Sequence, residues 1–143
     1  MTALVNDRNT PQAIGEMREG GLAANQVIFQ GALVAIDAAG MIVKGATAIG
    51  LIGIGRAEIR ADSTGAAAGA VVLRWRPGIF RFANSAAGDL ITAAEVGKLC
   101  YIVDDQTVAK TDATGTRSRA GAVAWVDAQG VWVEFNTALT RAL

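Results

Sequence analysis

The side chains that most often carry enzymatic chemistry are scarce in this sequence. It contains no histidine, a single cysteine (Cys100) and three lysines. Without histidine, the chain lacks the usual general base at neutral pH and the commonest metal ligand. A serine or cysteine nucleophile would then need a different activator. We therefore expect a protein that is not an enzyme and that holds no metal and no cofactor.

Three remaining features could do chemistry, and each has a simpler structural interpretation. Cys100 lies in the strand-like segment 98–103, which predicts a buried, apolar thiol. Asp104 and Asp105 lie between two strand-like segments, where a hairpin turn explains them, and a calcium site would need further oxygen ligands at set spacing. The glycine-rich run 45–55 matches neither the dinucleotide fingerprint nor a phosphate loop. Its glycines favour bulges or closely packed backbones.

Charge and hydropathy limit the class of partner. The chain has 143 residues, with 13 basic and 13 acidic side chains and a hydrophobic fraction of 52%. Nucleic-acid binders usually carry a basic excess, so we expect no nucleic-acid partner. Residues 1–12 are too polar for a signal peptide, and the uncharged stretch 45–55 is too short to span a bilayer. We therefore expect that the protein is made in the cytoplasm and has no membrane partner. The high hydrophobic fraction further suggests that other subunits cover part of its apolar surface.

Recurrent turn signals predict an all-β fold. The pattern Asp-x-x-Gly, which is typical of type I turns, begins at Asp37, Asp62, Asp112 and Asp127, and Pro77-Gly78 is a fifth break. Strand-length apolar runs flank these turns. We predict a single β-barrel or β-tulip-like domain of antiparallel hairpins over residues 26–136, with one short helical turn at 92–95. An extended N-terminal arm (1–25) and a C-terminal tail (137–143) flank this domain.

The segment 56–83 is predicted to hold the centre of the core. Residues 56–62 alternate strictly between polar and apolar, which predicts a half-buried strand with Ile59 facing inward. Segments 70–76 and 79–83 flank Pro77-Gly78 and should pair as a hairpin. In that pairing Trp75 lies opposite Phe80, and Leu73 lies opposite Phe82.

The other face of this predicted hairpin carries three arginines, Arg74, Arg76 and Arg81. Arg74 and Arg81 would stand directly opposite each other, which is repulsive unless a carboxylate lies nearby. One interpretation is a solvated face that pairs with Glu58 or a neighbouring aspartate. The other is a contact patch for an acidic partner surface, which arginine's planar fork suits.

A second hairpin is predicted near the C-terminus, with arms 122–126 and 131–135 around Asp127–Gly130. On its inner face Ala122, Ala124 and Val126 lie opposite Phe135, Val133 and Val131, and on its other face Trp125 lies opposite Trp132. Two interpretations stay open: the sheet folds over to bury both faces in a closed barrel, or the tryptophans contact a neighbouring subunit. In the arm, the polar residues Asn6, Asp7 and Arg8 are further candidates for partner contact.

Several of these segments resemble a known phage family. Residues 45–51, and then Val-Leu-Arg-Trp-Arg-Pro-Gly-Ile-Phe-Arg-Phe at 72–82, resemble the centre of the head-decoration proteins of lambda-like tailed bacteriophages. Residues 88–90, 96–105, 120–123 and 131–133 resemble the broader set of phage capsid cement proteins. The similarity covers residues 31–136, and the N-terminal arm matches less well.

The resemblance implies a structural virion protein. Such a protein binds the outer surface of the expanded capsid and stabilises the shell by bridging major capsid subunits. Its partners would be the major capsid protein and copies of itself, as a homotrimer or alternatively a dimer, and its location would be the capsid exterior. Two other classes stay open: a structural or adaptor module of the tail or baseplate, and a small ligand-binding β-barrel.

Overall fold

The computed structural model describes residues 2–11 and 16–143. The strands in this part of the chain are β1 Arg18–Gly21, β2 Val27–Ile28, β3 Leu33–Ile36, β4 Ile42–Lys44, β5 Ile52–Ala57, β6 Ala61–Asp62, β7 Val72–Arg76, β8 Gly78–Asn84, β9 Leu99–Ile102, β10 Thr107–Ala109, β11 Arg119–Asp127 and β12 Gly130–Phe135. Two 3₁₀ turns (Ala87–Asp89 and Ala93–Glu95) and one α-helix, α1 Thr137–Ala142, complete the described elements. None of these helices has the length and apolarity needed to cross a membrane.

Five strands close into a barrel, which confirms the predicted all-β class. Around the ring, β11 pairs with β12, β12 with β8, β8 with β10, β10 with β9, and β9 again with β11. Only the β8–β10 pairing of this ring is parallel. Inward-facing side chains from all five strands form one core, which includes Phe82, Cys100, Val108, Val123 and Val131. Closure leaves no unpaired edge in this ring.

A second group of strands builds a smaller lobe on one side of the barrel. It consists of β1, β7, β5, β3 and β4, which pair in that order, and an isolated parallel bridge between Leu22 and Ile42 brings its two ends together. The two-stranded sheet β2–β6 lies against this lobe with Ile28 and Ala61 buried. The second core comprises Leu22, Ile28, Ala32, Val34, Ile42, Ile54, Ala57, Ala61 and Leu73.

Two glycines of β5 allow close approach of neighbouring backbones, Gly53 between the two lobes and Gly55 within the second lobe. A Cβ atom on Gly53 would collide with the Ala120 carbonyl of β11, and one on Gly55 would collide with the Arg76 carbonyl and approach Pro77. Gly55 also has a φ of +146°, which non-glycine residues rarely adopt. The prediction that this glycine run serves close backbone packing is therefore confirmed.

The predicted hairpin at Pro77-Gly78 is wrong. β7 pairs with β1 and β5, whereas β8 pairs with β12 and β10, so Trp75 does not lie opposite Phe80 and Arg74 does not lie opposite Arg81. Proline fixes φ and removes an N–H donor, and here it lies where the chain passes from one lobe to the other. The strand predicted over 56–62 is also interrupted. β5 ends at Ala57, the chain bends at 58–60, and Ile59 is exposed.

The other predicted turns form. The C-terminal hairpin has Trp125 opposite Trp132, as expected, but a bulge between Val123 and Trp125 places Val123, rather than Ala124, against Val133. Asp104 lies in the β9–β10 turn and accepts a hydrogen bond from the Gln106 N–H (2.9 Å). The helical turn at 92–95 carries a complete capping box.

Both chain ends differ from the predicted arm and tail. The predicted arm, residues 1–25, contains strand β1 and the fully buried Leu22. Of the described residues that precede β1, residues 2–11, 16 and 17 lie outside the sheet. Met1 and residues 12–15 of that arm lie outside the described residues. The predicted tail forms α1, whose Thr140 is buried against the barrel. Arg119 of β11 donates to the Thr140 carbonyl (3.2 Å).

Candidate functional site

A row of large side chains crosses the outside of the barrel. Arg81 of β8 is directly opposite Trp132 of β12, which is opposite Trp125 of β11. The Arg81 Cζ atom lies 5.4 Å from the centroid of the Trp132 ring, a cation–π arrangement. Trp125 has 59% of its surface exposed. We call these three residues the tryptophan face.

The Asp127–Gly130 turn holds two members of the tryptophan face, Arg81 and Trp132, in place. One Asp127 carboxylate oxygen accepts from the backbone N–H groups of Gln129 (2.8 Å) and Gly130 (3.1 Å), and the other accepts from the Trp132 indole Nε1 (2.8 Å). These bonds, the indole donor first, lower the pKa of Asp127 below its usual range. Arg81 donates to the Gln129 side-chain carbonyl (2.6 Å). The Trp132 ring is therefore held in a fixed orientation beside the exposed Trp125 ring.

Beside this face lies an open groove of about 400 Å³, lined by Gly31, Arg56, Ile79, Phe80, Arg81, Phe82 and Trp132. We call it the arginine groove. The Arg56 Cζ atom lies 4.3 Å from the Phe80 ring centroid, and Ile79 is 52% exposed. The guanidinium groups of Arg56 and Arg81, each stacked on an aromatic ring, thus border the apolar floor of the groove. The sequence-based prediction missed Arg56 and Ile79, although the alternation of β8, with Phe80 and Phe82 inward, indicates that Ile79 and Arg81 share the outer face.

Arg74 and Arg76 belong to β7 of the second lobe, whereas Arg81 belongs to β8 of the barrel. Arg74 pairs with Glu19 of β1 (2.8 Å), and Arg76 pairs with Glu58 and Glu16 (3.4 Å each). The sequence-based interpretation of a solvated, paired face, with Glu58 as a partner, therefore describes Arg76. The hairpin that would place Arg74 opposite Arg81 does not form, and the groove beside Arg81 is lined by Arg56 rather than by Arg74 or Arg76.

The N-terminal candidates lie along an exposed segment. Asn6, Asp7 and Arg8 are all exposed, as are the neighbouring apolar side chains Leu4 (72%) and Val5 (86%). In the part of the chain that the structure describes, no hydrogen bond or ion pair joins residues 2–11 to the barrel. These side chains are thus available to a partner.

The ionisable groups with the largest pKa shifts have structural roles. Burial raises the pKa of the Cys100 thiol to about 12, so it is an unreactive core group. Glu95 accepts from the Thr92 N–H (2.7 Å) and hydroxyl (2.8 Å) and pairs with Lys110 (3.3 Å), which lowers its pKa to about 2. Within residues 2–11 and 16–143, no three metal-ligating side chains cluster.

A second depression, of about 460 Å³, lies beside α1 and includes Asp37, Arg119 and Arg141. Two of its three charged side chains are used within the chain: Asp37 accepts from two N–H groups of its own turn, and Arg119 caps the carbonyls of α1. Because they expose large aromatic and aliphatic side chains, the tryptophan face and the arginine groove are the stronger candidates for partner contact. Comparisons with protein-family models, curated proteins and solved structures found no match to this chain.

Proposed function

We propose that this chain is a capsid decoration, or cement, protein of a tailed bacteriophage. It binds the outer surface of the expanded capsid and stabilises the shell by bridging major capsid subunits. It is made in the host cytoplasm and resides on the virion exterior. The observation that carries this proposal is Trp125, which a closed barrel holds 59% exposed beside Trp132.

An exposed tryptophan on a rigid strand is typical of a binding surface. Burying the free part of an indole releases water from a large apolar area, and tryptophan is enriched among the residues that dominate interface energies. Because β11 and β12 fix the backbone beneath both rings and the Asp127 carboxylate holds the Trp132 indole, less conformational freedom is lost when a partner covers this face. A flat, ordered lattice of shell subunits is a partner that suits such a face.

Many copies on one lattice compensate for a small contact. Each barrel offers one small aromatic patch, so the affinity of a single copy is expected to be modest. Copies that also contact each other, as a homotrimer or alternatively a dimer, bind the shell with an avidity well above that of one copy. The equal numbers of acidic and basic side chains agree with a protein rather than a nucleic-acid partner.

The test is co-sedimentation of the purified protein with expanded and unexpanded heads of its phage. We expect binding to expanded heads, and Trp125→Ala to weaken it at least about tenfold because an interface tryptophan contributes on the order of 2 kcal/mol. Val72→Ala is the matched control, since Val72 is an exposed apolar residue on the second lobe. Unchanged binding of Trp125→Ala, or equal binding to unexpanded heads, would contradict the proposal. Binding to purified tails instead would favour a tail or baseplate module.

A further inference from the structure

We propose that the N-terminal segment 2–11 of one copy docks into the arginine groove of a second copy. This contact does not depend on the proposed capsid function, because it concerns only copies of this chain. Two features of the described structure lack a partner within the chain and complement each other: an apolar pair on the segment and an apolar groove bordered by arginines.

The segment offers Leu4 and Val5, which are 72% and 86% exposed. Adjacent aliphatic side chains in an otherwise polar stretch have no solubility role, and burying them in a partner is favourable by about 25 cal/mol per Å² of apolar area. The groove offers matching apolar surface in Ile79, Phe80 and Trp132, and about 400 Å³ of open volume. That volume is within the range of small binding clefts.

The charges on the two surfaces are also complementary. Arg81 bonds the neutral amide of Gln129, and among the described residues it forms no ion pair. Arg56 pairs with Glu58, and Arg76, which also contacts Glu58, has Glu16 as a second partner. Of the two groove arginines, Arg81 is thus the one outside an ion pair, although its charge already acts on the Asp127 carboxylate. We assign Asp7, which follows the apolar pair by two residues, as its partner in the second copy.

The arginine after Asp7 also has a counterpart. Glu134 is exposed and lies opposite Ile79 across the β8–β12 ladder, and the described ion pairs do not use it. Arg8 can therefore pair with Glu134 when Asp7 pairs with Arg81. Opposite charges placed in this order fix the direction in which the segment lies in the groove.

The geometry favours docking between copies. In the single chain the groove is open and Leu4 and Val5 are exposed, so the segment does not fold back onto its own barrel. Leu4 precedes Arg18 by 14 residues, and a fully extended chain of that length spans at most about 50 Å. A domain of this size has a radius of gyration of about 15 Å, so a neighbour's groove is within reach. Such a contact can close as an exchanged dimer or as a ring.

A complementation experiment tests docking between copies. One variant lacks residues 2–11 and keeps the groove, and the other carries Arg81→Glu and keeps the segment. We expect the unaltered protein to self-associate in sedimentation velocity, each variant alone to associate at least about tenfold more weakly, and a mixture of the two to form a mixed complex. A monomeric unaltered protein, undiminished association of either variant, or a mixture without mixed complexes would each overturn the proposal.

A charge exchange tests the predicted ion pair. Asp7→Arg alone should weaken association, and Asp7→Arg combined with Arg81→Asp should restore it.

Arg74→Glu is the matched control for the Arg81→Glu variant of the complementation experiment, because Arg74 is an exposed arginine outside the groove. Circular dichroism on every variant separates loss of docking from loss of fold. Failure of the combined change to restore association would exclude the Asp7–Arg81 pair.

Cross-linking distinguishes docking between copies from docking within one chain. Val5→Cys and Ile79→Cys place exposed thiols at the proposed contact, and a short bismaleimide joins them when they are close. The native Cys100 is buried and stays unmodified, so it needs no replacement. We expect a covalent dimer on a denaturing gel. A cross-link within one chain, or no cross-link, would overturn the proposal.

Discussion

The barrel and the second lobe are built from the same short strands but are closed in different ways. In the barrel, each of the five strands pairs on both sides, and the ring returns to β11 through backbone hydrogen bonds. The second lobe is closed by one isolated bridge, Leu22 to Ile42, together with the Ala23 N–H, which donates to the Ile42 carbonyl (2.9 Å). Its core is also smaller.

This difference indicates an order of opening. Breaking one bridge opens the second lobe, whereas opening the barrel requires the loss of a whole strand ladder. The lobes are coupled through Leu33 and Ala35 of β3, which belong to the barrel core, and where β5 lies on β11. The second contact is the place where Gly53 has no room for a side chain. We therefore expect the second lobe to open locally at lower free energy than the barrel.

The largest loss of stability is expected from Gly53→Ala, which disrupts the contact between β5 and β11. The new Cβ atom would collide with the Ala120 carbonyl, and a backbone atom cannot move aside without shifting β11. We expect the free energy of unfolding to fall by more than about 4 kcal/mol, or the protein to be recovered only as aggregate. Urea denaturation measures this.

Gly50→Ala is the control for that change. Gly50 has a φ of +77° but no atom within 4 Å of the added Cβ, so only the backbone conformation penalises the substitution. That penalty is about 1 kcal/mol. Equal losses for the two variants would show that the contact between β5 and β11 is not the cause.

A smaller loss is expected from cavity-forming changes in each core. Leu73 of the second lobe and Ile102 of the barrel are both fully buried, and truncation of either to alanine should cost about 3 kcal/mol. Hydrogen exchange should separate them: Leu73→Ala speeds exchange in β1, β4 and β7 while β11 and β12 stay protected, and Ile102→Ala speeds exchange throughout. Uniform acceleration by Leu73→Ala would mean that the two lobes open as one unit.

Acid should destabilise the barrel through Glu95. Its pKa is about 2 in the folded protein and 4.5 ordinarily, so its stabilising contribution is complete above pH 4.5 and is lost as the pH falls toward 2. Glu95→Gln should therefore be less stable than the unaltered protein at neutral pH and should lose less stability over that acid range. Thermal melts of both proteins at several pH values measure this. Parallel profiles would contradict it.

Local sequence signals made the turns and the all-β class predictable. The strand partners were not predictable, because they depend on contacts between segments far apart in the sequence. The Asp127 turn forms as expected because its own carboxylate bonds two N–H groups within the turn. The capping box at Thr92 and Glu95 is likewise a contact between residues three apart. Pro77-Gly78 has the same appearance in the sequence, but it connects strands whose partners, β1 and β12, lie far away along the chain.

The candidate surfaces were predictable to the extent that alternation decides them. Trp125 and Trp132 lie opposite each other because the hairpin register follows from the turn, despite the bulge at Ala124. Arg74 and Arg81 were expected to face each other because a hairpin was assumed. Arg56 lines the groove because β5 packs near β8, and no local pattern in the sequence predicts that packing.

The smallest stability effect is expected from two arginines on the outer faces of the two lobes. Arg74 pairs with Glu19 in an exposed position, and Arg81 stacks on Trp132 and bonds Gln129. Replacing either by alanine should change the free energy of unfolding by no more than about 0.5 kcal/mol, since exposed contacts of this kind contribute little.

The effects of these two substitutions on self-association should differ. Arg81→Ala should weaken self-association and Arg74→Ala should not, because the contacts of Arg74 are satisfied within its own lobe. If Arg74→Ala weakened association as much as Arg81→Ala, the contact surface would extend over the second lobe, and the separation of a self-contained face from a partner-binding face would be wrong.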